Sequence, residues 1–453
     1  MQDLTSGSIP RHLFKTAGFM LVTMLFQTLY FLVDLYWVGR LGKEAVAAVA
    51  LCGNLTFIVF ALTQMLSVGT TTAVSHAAGR RDPARARHAF NQSLVISGLV
   101  GLLFLVVAMA VRVPYARTLA ADAVTAGLAA DYLLWFIPAM ALQFGIASMS
   151  AALRGSGNFK PGMVVQTATV VINIVLAPIL IFGWGTGAPL GVAGAAIASL
   201  VAIVIGTAWL STYFLQRSAY LSFVASEWVP DMKLWADLLK IGLPAGAEFA
   251  LTAVYLFVVY ALCRPFGSAA QAGFGIGMRV LQAGFMPVVA LGFAVGPVAG
   301  QNFGARHPDR VRDTFKTAAG VGATFMLVFA VFCHFAATAM IGFFSSDPGV
   351  IAVGGEYLAV VSWSFVASGV VFVGSSMFQA MGHTLPALIS SLVRIAVVVI
   401  PAVLLSRLPE FELQWIWYLS VFSVLVQVTL QLLLLRREFR VRLGTLTAPA
   451  PTV

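Results

Sequence analysis

Two carboxylic acids, Asp34 and Glu248, stand deep within long apolar stretches of this 453-residue chain. The other fifteen of its 17 acidic residues fall in loops, tails or helix ends. A carboxylate in hydrocarbon is costly unless it is protonated, binds a cation or faces water. We therefore predict that both acids exchange a charge during function, as the coupling groups of an ion-driven process do. The alternative is a structural acid with satisfied hydrogen bonds or, for Asp34, an acid hydrated near the outer interface.

Two cations, Arg279 and Arg394, also lie inside apolar stretches. Snorkelling, or contact with carbonyls at a helix end, is the simplest interpretation of Arg394. Arg279 is a candidate to neutralise Glu248, and the sequence leaves that open. No Walker A loop, zinc motif or Ser-His-Asp arrangement is visible, which argues against an ATP-driven pump and against an enzyme. We expect no metal and no organic cofactor.

The composition indicates the elements that position these residues. Hydrophobic residues make up 60% of the chain and charged residues only 10%, against roughly 25% charged in soluble domains. One helical membrane span needs about 20 mostly apolar residues, so the fold class predicted is an all-α integral membrane protein. Twelve transmembrane helices are predicted near residues 13–38, 48–75, 90–112, 130–152, 163–183, 190–215, 240–262, 270–300, 315–343, 356–378, 386–406 and 413–435.

The basic residues divide unequally between alternate connections, nineteen against six. The larger set is Arg11, Lys15, Arg80, Arg81, Arg85, Arg87, Arg154, Lys160, Arg217, Lys233, Lys240, Arg306, Arg310, Arg312, Lys316, Arg436, Arg437, Arg440 and Arg442. The smaller set is Arg40, Lys43, Arg112, Arg117, Arg264 and Arg407. The positive-inside rule places both termini in the cytoplasm. Anionic lipid accounts for the net charge of +10, so membrane lipids and not nucleic acid are the expected partners.

An internal repeat relates the two halves at an offset of 225 residues. The segment GRRDPARARHAF from Gly79 matches GARHPDRVRDTF from Gly304 at six of twelve positions. The same offset pairs Lys15 with Lys240, Gly157 with Gly382 and Pro161 with Pro386. We predict two six-helix lobes, 1–217 and 240–453 with its cytoplasmic tail, joined by a cytoplasmic linker at 218–239. Six helices per repeat imply a pseudo-two-fold axis along the membrane normal, with a cavity between the lobes.

The deep acids break this symmetry. Asp34 is equivalent to Val259, and Glu248 is equivalent to Thr23. Helices one and seven both run outward, so eleven residues of offset place Asp34 about 16 Å closer to the outer face. We therefore expect the two halves to work unequally.

Several segments together resemble the multidrug and toxic compound extrusion (MATE) family, prokaryotic branch. They are YFLVDLYWVGRLGKEAVAAVAL at Tyr30–Leu51, RGSGNFKPG at Arg154–Gly162, AGFGIGMRVLQAGFMP at Ala272–Pro287 and the paired basic loops. The resemblance covers about residues 10 to 435. It implies a secondary transporter that exports small organic compounds, often cationic or amphipathic, in exchange for protons or sodium ions by alternating access.

Carried over to this chain, the family's N-lobe cation site implies Asp34, Tyr30, Asn173 and Ser199. Two departures weaken a tight sodium site there. Ala177 stands where relatives often carry a second acid, and Phe19 replaces the proline that bends helix one. Glu248 fits the acid that many members carry in helix seven. We therefore expect protons as the coupling ion, with sodium as the alternative, because selective sodium capture needs several oxygen ligands.

We expect the substrate cavity to be lined by Gln27, Arg279, Gln282 and Met286. The resemblance further implies a monomer in the bacterial cytoplasmic (inner) membrane, active in xenobiotic transport. A lipid-linked saccharide flippase of the same superfamily is an alternative, although it would usually present more cavity cations. A receptor or a membrane enzyme is the alternative from a different class.

Overall fold

A computed structural model describes residues 2–185, 187–215 and 220–447. Helices account for nearly all of this part of the chain, and it contains no strand. Twelve of its helical segments are long and apolar enough to cross a membrane. The helices are α1 (Ile9–Gly39), α2 (Lys43–Gly79), α3 (Pro83–Leu119), α4 (Ala123–Gly155), α5 (Lys160–Phe182), α6 (Gly191–Leu215), α7 (Met232–Cys263), α8 (Ser268–Gly304), α9 (Pro308–Gly342), α10 (Pro348–Val361), α11 (Phe365–Ala380), α12 (Leu385–Leu405), α13 (Leu413–Glu438) and the short α14 (Gly444–Thr447).

The predicted all-α membrane fold is confirmed, and its helix starts differ most from the prediction at the seventh and tenth spans. The seventh span begins at Met232, before the expected residue 240, because the Asp231 carboxylate accepts hydrogen bonds from the backbone N–H groups of Lys233 and Leu234 at 3.1 and 3.2 Å. The tenth span begins at Pro348, before the expected 356, because Asp347 caps it in the same way. An acidic cap at a helix start satisfies otherwise unpaired N–H groups. The segments that follow these caps, 232–239 and 348–355, are therefore helical.

The tenth span is also not one regular helix. A 3-10 segment at Ser362–Ser364 separates α10 from α11, and the Ser364 hydroxyl donates to the carbonyl of Val361 at 2.8 Å. Such a hydroxyl competes with the backbone for carbonyl acceptors inside a helix. The predicted continuous helix over 356–378 is thus interrupted near its middle.

The chain forms two compact units. Phe19–Gly242 makes up the first, together with residues 2–3, and Leu4–Gly18 with residues 243–447 makes up the second. The start of α1 therefore belongs to the second unit, and the start of α7 belongs to the first. The proposed lobe boundary at 217 and the first two residues of the proposed linker lie outside the described residues, so those boundaries stay a prediction.

Each unit is built around its own apolar core. In the first, Leu133, Ile137 and Phe144 of α4 are fully buried among residues of α2, α3, α5 and α6. In the second, the indole of Trp417 lies parallel to the ring of Phe274, with centroids 5.6 Å apart, and edge-on to Tyr357 at 4.8 Å. Rings of this size contribute large buried areas and defined packing geometry. These cores hold the polar residues described below at fixed positions.

The 225-residue repeat is visible in the backbone. Arg81 and Arg306, at equivalent positions after α2 and α8, are the described non-glycine residues with positive φ, at 58° and 60°. Gly157 and Gly382 end α4 and α11 with φ of 79° and 71°. This left-handed conformation costs little for glycine and is unfavourable for other residues. The two halves thus repeat conformation as well as sequence.

The described part of the linker, from Tyr220, is bound to the first turns of α3. The buried side-chain amide of Asn91 makes five hydrogen bonds, among them one with the indole of Trp228 at 3.0 Å. Gln92 donates to the carbonyls of Glu227 and Val229 at 2.6 and 2.7 Å. Its oxygen accepts from the backbone of Asp231 at 3.0 Å and from Trp235 at 2.8 Å. The residues that precede α7 are therefore held firmly against the first unit.

Candidate cation-coupling sites

The first candidate site is centred on Asp34 of α1. Helical spacing of four residues places Tyr30 one turn earlier on the same face. The Tyr30 hydroxyl and the Ser199 hydroxyl of α6 share a hydrogen bond of 2.9 Å. Asn173 of α5 donates its amide to the same Ser199 oxygen at 3.0 Å. The structure thus brings together Tyr30, Asn173 and Ser199, three residues that the family resemblance implies.

The Asp34 carboxyl is buried, with 9% of the residue exposed, and its Oδ1 atom has no hydrogen-bond partner among the described residues. Tyr30 and Tyr132 of α4 lie near this carboxyl. A buried polar atom without a partner carries a desolvation cost of about 1–3 kcal/mol, and more when it is charged. Binding of a proton or a cation at the carboxyl would remove that cost.

The surroundings of Asp34 are poor in further oxygen ligands. The hydrogen bonds of Tyr30, Asn173 and Ser199 join these residues to one another, and Ser199 also donates to the carbonyl of Ala195 at 3.2 Å. Ala177 is fully buried in the apolar core of the first unit. Tyr132 was not singled out from the sequence, although its repeat equivalent is Tyr357. The available signal was the repeated acid-Tyr-Leu pattern at residues 131–133 and 356–358.

The second candidate site surrounds Glu248 of α7, which is half-buried. The hydroxyl of Ser375 on α11 donates to Glu248 Oε1 at 2.7 Å. The hydroxyl of Ser391 on α12 donates to the same oxygen at 3.1 Å. Hydrogen bonds to a carboxylate are shorter and stronger than those between neutral groups. Two helices of the second unit therefore present donors to one carboxylate oxygen.

Two glutamines of α13 extend this cluster. Gln427 donates to the Ser391 hydroxyl at 3.1 Å, and Gln431 donates to the Ser375 hydroxyl at 3.0 Å. The Oε1 atoms of both amides are buried without a hydrogen-bond partner among the described residues. Gln427 and Gln431 were missed in the sequence. Their four-residue spacing within an apolar span was the usable signal, because it places both amides on one helix face.

Arg394, and not Arg279, is the cation near Glu248. Arg394 interacts electrostatically with Glu248, and its guanidinium carbon lies 5.3 Å from the ring centroid of Tyr255. The Tyr255 hydroxyl in turn shares a 2.9 Å hydrogen bond with Ser420 of α13. Arg279 is exposed on α8. The favoured interpretation of Arg394, as a snorkelling residue or a contact to helix-end carbonyls, is therefore replaced by an ion–ring contact beside an acid.

The four residues predicted to line a substrate cavity occupy two helices. Arg279, Gln282 and Met286 follow the spacing i, i+3, i+7 and share one face of α8, where Arg279 and Gln282 are exposed and Met286 is half-buried. Gln27 is exposed on α1 in the first unit. Their part in substrate binding stays a prediction.

The described chain has twelve apolar spans in two units, and each unit carries one acid within its apolar region. This arrangement is typical of a secondary membrane transporter. The sequence model of the MatE family matches residues 20–179 and 244–405, that is, both halves of the repeat. The chain belongs to the MATE family, and the resemblance stated from the sequence is confirmed.

Named relatives agree with this assignment. The probable multidrug resistance protein YoeA of Bacillus subtilis (strain 168) is 26% identical over 416 residues, covering 89% of each chain. The multidrug export protein MepA of Staphylococcus haemolyticus (strain JCSC1435) is 27% identical over 370 residues, covering 80% of each. An outward-facing multidrug resistance MATE family transporter of the MOP superfamily matches the fold with a TM-score of 0.89 over 98% of both chains, at 24% identity.

Proposed function

We propose that this protein exports small organic compounds, cationic or amphipathic in character, in exchange for protons by alternating access. Asp34 and Glu248 carry the coupling charge, and Tyr30, Asn173 and Ser199 shape the surroundings of Asp34. The relatives named as multidrug exporters support a broad range of organic substrates. The protein works as a monomer in the bacterial inner membrane, with both termini in the cytoplasm.

The unpaired Oδ1 atom of Asp34 is the observation that carries the proposal. A proton satisfies a buried carboxyl without any further ligand, whereas sodium prefers several oxygen atoms around it. The nearby oxygens of Tyr30, Ser199 and Asn173 lie within a hydrogen-bonded group of their own. Protons are therefore favoured over sodium at this acid.

The energy available to such an exchange is sufficient. One net charge that moves through a membrane potential of about 100 mV, as when one proton is exchanged for a neutral compound or two protons for a monovalent cation, supplies about 2.3 kcal/mol. This free energy corresponds to roughly fifty-fold accumulation, since about 1.4 kcal/mol is a factor of ten. A pH gradient adds to that value.

The experiment uses purified protein in proteoliposomes with ethidium as the substrate. An imposed inward proton gradient should drive ethidium out in buffers free of sodium, and Asp34→Asn should abolish this flux. The matched control is Asp131→Asn, which alters an exposed acid of α4 and should leave efflux intact. Efflux that requires sodium and ignores the proton gradient would overturn proton coupling.

A further inference from the structure

Arg394 of α12 interacts with two residues of α7, the acid Glu248 and the aromatic ring of Tyr255. Glu248 accepts from Ser391, and Arg394 follows Ser391 by three residues, or about 4.5 Å along the helix axis. On α7, Tyr255 follows Glu248 by seven residues, or about 10.5 Å. The guanidinium group lies on the Tyr255 ring, about two helical turns beyond Glu248 along α7, and it interacts electrostatically with the Glu248 carboxylate.

The contacts of Arg394 hold its side chain in place, but they do not provide a hydrogen-bond acceptor for every N–H group of the guanidinium. The ring of Tyr255 holds the guanidinium by a cation–π contact, and the bond to Ser420 fixes that ring. The Arg394 Nε atom is buried and has no hydrogen-bond partner among the described residues. Its charge and that of ionised Glu248 sum to zero. Removal of one member of such a pair leaves an uncompensated charge, which is strongly unfavourable inside a protein.

Without Arg394, the cluster around Glu248 would suit a small metal cation. It presents the Glu248 carboxylate and the hydroxyls of Ser375 and Ser391. It also holds the unpaired amide oxygens of Gln427 and Gln431. Carboxylate, hydroxyl and amide oxygens are the hard ligands that such ions prefer. In this protein the cation near these oxygens is the side chain of Arg394.

We propose that Arg394 is the resident counter-ion of Glu248 and that it excludes sodium from the oxygen cluster of the second unit. A second cation at this carboxylate would be repelled by the guanidinium, whereas a proton neutralises the carboxylate directly. Arg394 therefore determines the ion specificity of Glu248. This inference rests on the proposed proton coupling and identifies the residue that enforces it in the second unit.

The first test measures sodium binding without any transport. Thermal unfolding of the purified full-length protein is compared in sodium chloride and in choline chloride. Wild type and Arg407→Gln, a control at an exposed arginine that follows α12, should unfold at the same temperature in both salts. Arg394→Gln should gain a sodium-dependent rise in Tm of roughly 5 °C at sodium concentrations far above its Kd. The double variant Glu248→Gln with Arg394→Gln should lose that rise.

Three results would overturn the proposal. They are sodium-dependent stabilisation of the wild type that Glu248→Gln removes, no sodium response in Arg394→Gln, or a response that persists in the double variant. If Arg394→Gln does not fold, the stability of the double variant tests the counter-ion pair instead. It should be more stable than Arg394→Gln because both charges are gone, and equal or lower stability contradicts a counter-ion pair. Since these readouts need no substrate flux, they are separate from a failure of proton-driven export.

Discussion

Tyr30 and Tyr255 occupy equivalent positions in the two halves, 225 residues apart, and each shares a 2.9 Å hydrogen bond with a serine of the last span in its own unit. The charges beside these tyrosines differ in sign. Tyr30 lies one helical turn from Asp34 on α1, whereas the ring of Tyr255 contacts Arg394. A tyrosine bonded to a serine, with the serine at different repeat positions, therefore lies beside an acid in one unit and beside a cation in the other.

Replacement of each tyrosine by phenylalanine should separate these roles. Tyr30→Phe and Tyr255→Phe each lose one hydrogen bond, worth about 1 kcal/mol of stability. Only Tyr30→Phe should slow proton-driven ethidium efflux, by roughly five-fold, because Asp34 then loses a polar neighbour. Tyr255→Phe keeps the aromatic ring on Arg394 and should not slow efflux. Efflux rates and Tm values of both variants provide the check. Equal slowing by the two variants would contradict an unequal division of labour.

Neutralisation of either deep acid should abolish active efflux. Asp34→Asn and Glu248→Gln cannot exchange a proton at the positions where the charge must be carried. Efflux from cells should fall to the level of cells that lack the protein, while membrane expression and size-exclusion profiles stay normal. Asp131→Asn is the control, since it removes an acid outside the two candidate sites and should leave efflux unchanged. Full efflux by either variant at normal expression would remove that residue from the mechanism.

The orientation of the chain can be tested with a single cysteine. The three native cysteines, Cys52, Cys263 and Cys333, are buried, so their replacement by alanine provides a background for labelling. A cysteine at Thr445, which is exposed, should be protected from an impermeant maleimide in intact spheroplasts and should react after lysis. Reaction in intact spheroplasts would place the carboxyl-terminal end outside and reverse the predicted topology.

The buried amide of Asn91 should be important for the stability of the segment before α7. Asn91→Leu leaves the backbone N–H of Val224 and the indole N–H of Trp228 without their acceptor. We expect a loss of about 2 kcal/mol or more, together with faster proteolysis between residues 220 and 231. Arg85→Gln changes an exposed side chain on the same helix and should do neither. Unchanged Tm and protease resistance in Asn91→Leu would show that the hydrogen-bonded cluster contributes little.

Several features of this protein were predictable from the order of its residues. Long apolar runs predict the twelve spans, because every backbone polar group in a bilayer must be satisfied within a helix. The 225-residue repeat and the rarity of charge inside the spans pointed to two similar halves and to Asp34 and Glu248. The ends of the helices were harder to assign. The caps supplied by Asp231 and Asp347 extend two helices into stretches that the sequence analysis had placed outside the spans.

The partners of the two acids depended on tertiary structure. Apolarity along the chain shows that a segment is buried, but which face of each helix meets which neighbour depends on how the helices rotate and pack. Ser375, Ser391, Gln427 and Gln431 come from three separate helices and converge only after packing. Arg394 comes near Glu248 for the same reason, although the sequence had offered Arg279 for that place. Residue type thus determined which groups carry charge within the membrane, and helix packing decided which of them lie near one another.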